Sequence, residues 1–335
     1  MKFLMSILAL LAGFIGAAAG LSVFTPKRHV PTVTEKLTTY AATGDEFDVL
    51  AIGSSRTYRQ IIPKIFDHAT AAAGKPARIF NLGIDGMRPP EDTYVLEKAL
   101  ALRRKPLKLV LVECNNIRFE LRNEDAGTVR AVYWHDWKRM LTLTRLALNE
   151  EKKKRDFKDR MIRRWEVFTE FSTHAEYWLE NVTQFGRGNE LLSARLFNTK
   201  ETRRSGDPDG FRDSPVRAGL AGKELAEYEK DVEAMRKTRP RFERSDSISQ
   251  AELAEKRRII ERAGAKMILV LPPYPMSKRF LPDDPAEQAA VLDFSNPLEF
   301  PDLYTPEHRL DEGHTNRIGS EIYTKLIVDR LLRQL

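Results

Sequence analysis

Three short apolar runs, each closed by small or polar residues, recur at intervals of about 25–30 residues early in the chain. They are Asp48 to Ser55 (DVLAIGSS), Ala77 to Gly83 (ARIFNLG) and Leu107 to Glu113 (LKLVLVE). Runs this short, rich in Val, Ile and Leu and without polar alternation, are strands covered on both faces. The intervals read as helices. One spans Ile61 to Ala73 and stops at Gly74; another opens at Pro89-Pro90 and runs through Arg104. Strand–helix–strand repetition of this kind builds a parallel sheet.

The repetition breaks after residue 117 and returns near 249. Ser249 and Glu252 have the spacing of a capping box. The helix they open carries Leu253, Ile259 and Ile260 and stops at Gly264. Lys266 to Leu271 (KMILVL) reads as a fourth strand, ended by Pro272-Pro273. A loop-rich stretch leads to Leu310, and a last helix runs from Asn316 to Leu332. Residues 27–46 read as a polar lead-in.

Between 118 and 248 no strong strand is visible. Trp134, Trp137, Leu141 and Leu148 recur at helical spacing. So do Phe157, Met161, Trp165, Phe168 and Phe171, and then Leu225, Tyr228, Val232 and Met235. The pattern predicts a helical insertion over 118–248, with a loop-like centre at 203–215 and the aromatic residues as its own core. The flanking segments, 27–117 and 249–335, form the α/β domain. The stretch Glu151 to Trp165 holds eight basic and three acidic residues. It fits a solvated helix face better than a surface for anionic lipid or an acidic polymer.

The N-terminus is a separate element, residues 1–26. Lys2 is the only charge before Lys27, and residues 3–24 carry none. About 20 apolar residues span a bilayer core. The run reads either as an uncleaved anchor or as a secretory signal cut near Ala17-Ala18-Ala19. Both readings place the rest of the chain outside the cytoplasm, and the length of the run favours the anchor.

Composition narrows the chemistry. The net charge is 55 − 48 = +7, and 42% of the 335 residues are hydrophobic, as in a folded globular chain. Cys114 is the only cysteine, which excludes an internal disulfide framework and a cysteine zinc cluster. His29, His68, His135, His174 and His308 lack ligand spacing, so no metal site is expected. No phosphate loop, dinucleotide fingerprint or nucleic-acid module is present. No cofactor is expected.

Open α/β sheets bind ligands at the carboxyl ends of their strands. The first strand ends in Gly53-Ser54-Ser55, the second in Asn81-Leu82-Gly83 and the third in Asn115-Asn116. Asp311-Glu312-Gly313-His314 precedes the final helix. A serine, backbone and side-chain amides and an Asp–His pair are the parts of acyl transfer. Ser54 is the alternative nucleophile. Arg56, Tyr58, Arg88 and Asn116 lie beside this site and could hold an anionic glycan or carboxylate; surface ion pairing is the bland reading. Cys114 fits a buried thiol.

These blocks resemble the SGNH/GDSL hydrolase superfamily. Gly53-Ser54-Ser55 stands for its GDS block, Gly83 for its glycine, Asn115 for its GxND block and Asp311-x-x-His314 for its DxxH block. The resemblance implies a three-layer αβα sandwich with a mostly parallel, flavodoxin-like sheet. It implies Ser55 as nucleophile, His314 and Asp311 as its triad partners, and Gly83 and Asn115 as oxyanion donors. Two positions depart from the pattern: Ser54 replaces the aspartate and Glu113 replaces the glycine. The GSSR form is similar in style to membrane-anchored proteins of cell-envelope acylation. The expected function is ester hydrolysis or O-acyl transfer on cell-envelope carbohydrate, on the periplasmic side, with a membrane acyltransferase as a possible partner. The competing reading is a non-catalytic binding or assembly factor on the same fold.

Overall fold

The computed structural model describes residues 2–22, 28–151, 157–184, 187, 208–238, 241–244, 247–275 and 278–334. Its strands are β1 (Val49–Gly53), β2 (Ile79–Gly83), β3 (Leu109–Glu113), β4 (Arg241–Arg244), β5 (Lys266–Leu271), β6 (Lys278–Leu281) and β7 (Leu292–Asp293). Five of them form one sheet in the order β2-β1-β3-β5-β7, every pair parallel. Helices flank both faces. Pro63–Ala72 packs with Arg317–Gln334, and Glu91–Ala101 packs with Ser247–Arg262. This is a three-layer αβα sandwich. Starting from β1, the chain goes to one side for β2 and to the other for β3. That reversal opens a crevice at the carboxyl ends of β1 and β3.

The chain divides into two compact units. One comprises residues 1–31 and 118–205; the other comprises 32–117 and 206–335. The expected insertion over 118–248 is therefore too long at its C-terminal end. The helix Gly222–Thr238 places Tyr228, Val232 and Met235 in one core with Val49, Ala51, Leu111 and Ile268 of the sheet. Its apolar stripe completes a sheet face. Part of the expected loop-like centre, 203–207, lies outside the described residues. β4 also falls within the span expected to be mostly helical, pairing with β6 in a two-stranded ribbon outside the main sheet.

Other local readings are corrected. The lead-in at 27–46 contains a helix, Pro31–Thr43, with Val33, Lys36, Leu37 and Tyr40 buried. Threonines mask its pattern, but the Tyr40 ring lies 4.8 Å from that of Phe80 in β2. The helix expected to start at Ser249 begins at Ser247, so Ser249 and Glu252 are not a capping box. Glu252 instead accepts a hydrogen bond from Thr93, and Lys256 reaches Asp92 at 2.7 Å. Two buried polar pairs thus pin this helix to Glu91–Ala101. The loop-rich stretch after Pro273 supplies the edge strand β7.

Lys2–Ser22 is a single helix of 21 residues. Among the described residues no helix is long and apolar enough to cross a membrane.

Candidate active site

β1 delivers the chain into a sharp turn. Ser54 caps the six-residue helix Ser55–Gln60, its side chain accepting from the N–H of Arg56. Two glycines make this turn possible. A Cβ on Gly53 would sit 2.4 Å from Glu113 Oε2, and one on Gly83 would sit 2.2 Å from the Tyr58 nitrogen. Both positions must be bare for the short helix to lie against the strand ends.

Ser55 Oγ is 2.7 Å from His314 Nε2, although 259 residues separate them. The other ring nitrogen, Nδ1, is 2.8 Å from Asp311 Oδ1 and 2.9 Å from Oδ2. Asp311 also accepts from the N–H groups of Gly313 at 2.7 Å and His314 at 2.8 Å. Burial pushes its pKa up, but the imidazole and these two amides outweigh burial and hold the carboxyl below its ordinary value. The carboxylate can therefore orient the ring and balance an imidazolium at neutral pH.

The loop carrying this pair is fastened from below. Arg309, fully buried, donates to the carbonyls of Pro273 at 3.2 Å, Leu303 at 3.3 Å and Glu312 at 2.6 Å. Gln60 donates to Gly313 O at 3.2 Å. Neither residue was among the sequence candidates. A side chain that bonds only backbone leaves no motif.

The two departures from the family pattern turn out to be partners. Glu113 closes β3 and is buried. Its carboxylate accepts from Ser54 N at 2.7 Å, Ser54 Oγ at 2.8 Å, Thr57 Oγ1 at 3.0 Å, Arg56 Nε at 3.1 Å and Asn115 Nδ2 at 3.1 Å. Burial pushes its pKa up; the Arg56 charge, then the Ser54 and Asn115 hydrogen bonds, bring the net shift below the ordinary value. One buried carboxylate thus ties the serine turn to the end of β3. Ser54 Oγ is bonded to this carboxylate, whereas Ser55 Oγ is the hydroxyl bonded to His314.

The remaining candidates separate. Asn115 gives one side-chain hydrogen to Glu113 and keeps the other. Gly83 is a correction: its N–H points off the outer edge of β2 and donates to Asn81 Oδ1 at 2.9 Å. Ser55 N–H and Gly86 N–H make no hydrogen bond among the described residues, and Gly86 sits in the turn after β2 at φ 69°. Tyr58 is also corrected. It is buried under Lys36, whose Nζ lies 3.5 Å from its ring centroid. Lys36 in turn donates to the carbonyls of Asn81, at 3.0 Å, and Gly83, so both belong to the packing of β2. Arg56 spans Glu113 and Asn115 and lies 4.9 Å over the ring of Tyr274, a residue past the end of β5. Arg88 is half-buried, and its carbonyl opens the helix Glu91–Ala101. Asn116 Oδ1 is buried with no partner among the described residues. Cys114 is a buried thiol pushed up to about 12 by desolvation, which leaves it no thiolate at neutral pH.

Compared with known proteins, the chain matches no family model, no curated protein and no solved structure.

Proposed function

We propose that the protein is an exported serine-type acyl enzyme, an ester hydrolase or O-acyltransferase of SGNH type. The observation that carries this is the hydrogen-bonded chain from Ser55 Oγ through His314 to Asp311. Ser55 Oγ attacks the acyl carbonyl and gives its proton to His314 Nε2, while Asp311 balances the imidazolium. The proton then passes to the departing alcohol oxygen, leaving an acyl-Ser55. Water or a sugar hydroxyl attacks that ester, its proton goes to His314, and Ser55 is restored. Ser55 N–H and the spare Asn115 N–H stabilise the oxyanion, with Gly86 N–H in place of Gly83 as the third candidate.

Cell-envelope carbohydrate is the proposed acyl carrier, on the periplasmic side, with a membrane acyltransferase as donor partner. Export and the GSSR form of the serine block support this. Lys2–Ser22, at 1.5 Å per residue, would be about 31 Å long, enough for a bilayer core. The non-catalytic reading rested on Ser54 and Glu113, and their mutual pairing accounts for both substitutions.

The test is covalent labelling of the full chain by a fluorophosphonate serine probe, read by peptide mapping. A label on Ser55 that disappears in His314→Ala supports the proposal. An unlabelled Ser55 in folded protein sinks it. An export-dependent reporter fused at the C-terminus tests the location; a reporter active only in cytoplasm would refute it.

A further inference from the structure

The aromatic residues expected to form the insertion's core divide sharply. Trp134 is buried, but Trp137 is 60% exposed, Trp165 70% and Phe168 63%. They belong to the helices Trp137–Glu151 and Phe157–Thr183, which pack against one another within the unit of residues 1–31 and 118–205. Leu143, Leu146, Val167 and Tyr177 are buried in that unit, so its interior is filled by other residues. The exposed positions are ordered. Trp137, Leu141 and Leu148 share one face of the first helix, and Met161, Trp165 and Phe168 share one face of the second.

Charge follows the same geometry. At 100° per residue, Lys158 and Arg164 fall about 60° to either side of Met161, flanking the stripe. Both are exposed. Beside the Met161–Phe168 stretch, Asp159, Glu166 and Glu170 fall on the opposite side, where Glu170 accepts from the N–H of Leu121; the exposed Glu176, two turns beyond Phe168, falls about 60° from Met161. The first helix has Lys138 and Arg145 exposed beside its stripe and no acidic residue before Glu150. Tryptophan at the margin of an apolar face, basic flanks and segregated acids are the features of a helix lying in a lipid headgroup layer. Lys2–Ser22, with Leu10 and Phe14 exposed, packs on the Phe157–Thr183 helix in this same unit.

We propose that these two stripes form a membrane-docking surface, and that their occupant is the headgroup–acyl boundary of an anionic bilayer. A second copy of the chain is a poorer fit, because apposed stripes would bring like basic flanks together. The inference does not rest on the catalytic reading.

The full-length protein is reconstituted into vesicles of phosphatidylglycerol and brominated phosphatidylcholine, and tryptophan emission is followed. Bromine quenches only rings that reach the acyl boundary, so tethering through the N-terminal helix alone leaves them bright. All four tryptophans lie between 134 and 178, and two of them are the stripe residues. Trp137→Phe with Trp165→Phe should abolish most of the quenching. Lys158→Glu with Arg164→Glu should reduce it several-fold in anionic vesicles and little in pure phosphatidylcholine. These are exposed positions, and circular dichroism verifies each fold. Equal quenching in wild type and the double tryptophan variant overturns the proposal. So does free access of aqueous acrylamide to both rings in vesicles, or protection that depends on protein concentration without lipid.

Discussion

The two units of this chain use apolar side chains in opposite ways. In the α/β unit every strand position of β1, β2 and β3 is buried, and the helices Pro63–Ala72, Gly222–Thr238 and Arg317–Gln334 spend their stripes on one sheet face. In the helical unit two long helices keep Trp, Leu, Met and Phe in solvent at the same spacing. Periodicity alone therefore reports that a face is apolar; it does not report what covers it. Flanking charge separates the cases. The buried stripes belong to helices that the sheet face of their own unit covers. The exposed ones are framed by lysine and arginine, with the acids alongside them turned away.

The largest effects should fall entirely within the α/β unit. Ser55→Ala, His314→Ala and the double variant should each lose about 10⁴- to 10⁶-fold in ester turnover and reach one common residual, because neither group works without the other. Trp137→Phe with Trp165→Phe should leave turnover of a soluble ester unchanged. Additive losses in the double variant would break the triad. A comparable loss from the tryptophan pair would break the division of labour between units.

Stability should show the same contrast at a smaller scale. Phe66 is fully buried between helix and sheet, and Phe66→Ala should cost about 3–5 kcal/mol in urea unfolding. Phe168→Ala, on the exposed stripe, should stay within about 0.5 kcal/mol. A cost at Phe168 near that at Phe66 would mean the stripe is core after all.

Much of the α/β unit was legible because its physics is local. β1, β3 and β5 have unbroken apolar centres, β2 is broken only by Asn81, and a strand end is where a ligand site belongs. Ser55 and Asn115 could be named on that ground, Asp311 and His314 as an Asp–His pair before the last helix, and the roles of all four from the SGNH/GDSL resemblance. What escaped is what depends on partners distant in sequence. Glu113 looked like a defect in a motif until Ser54 and Arg56 were seen to bond it. Gly83 sits in β2 with its N–H already bonded to Asn81, and Gly86 in the turn beyond it has an N–H that makes no bond among the described residues. Tyr58 is three residues from Ser55 in sequence but faces Lys36. β7 is two residues long and exists because β5 offers it an edge. The Pro31–Thr43 helix has too many threonines to announce itself.

Asn115 sharpens the site further. On the proposed mechanism its spare N–H acts only on the developing oxyanion, so Asn115→Ala should cost about 100- to 1000-fold in kcat, less than any triad change. Ser54→Ala should retain most activity, since Glu113 keeps four other donors. A Ser54 variant as damaged as Ser55→Ala would show that the turn itself carries the chemistry.

Acid should separate the units by the smallest margin and in opposite directions. In the helical unit, His135 Nε2 lies 2.8 Å from His174 Nδ1, and both rings are buried. Desolvation, then the neighbouring histidine, pushes His135 down to about 3. Burial also lowers His174, with the Phe119 carbonyl, Glu170 and Glu120 partly offsetting it. A base whose folded pKa lies below its unfolded value of about 6.5 favours the unfolded state as pH falls below 6.5. The loss is at most about 1.4 kcal/mol per pH unit for one histidine. In the α/β unit, Asp67 is raised to about 6, chiefly by burial. An acid with a raised folded pKa does the reverse: its penalty is complete above pH 6 and is relieved as pH falls from 6 toward its ordinary value of 3.8. Between pH 7 and 5 the helical unit should therefore weaken while the α/β unit gains slightly. Hydrogen exchange, corrected for intrinsic rates, should show peptides within 129–183 losing protection at pH 5 while peptides covering 49–53 and 109–113 hold theirs. Simultaneous loss in both would mean that the two units unfold as one and that the buried histidine pair is not what yields first.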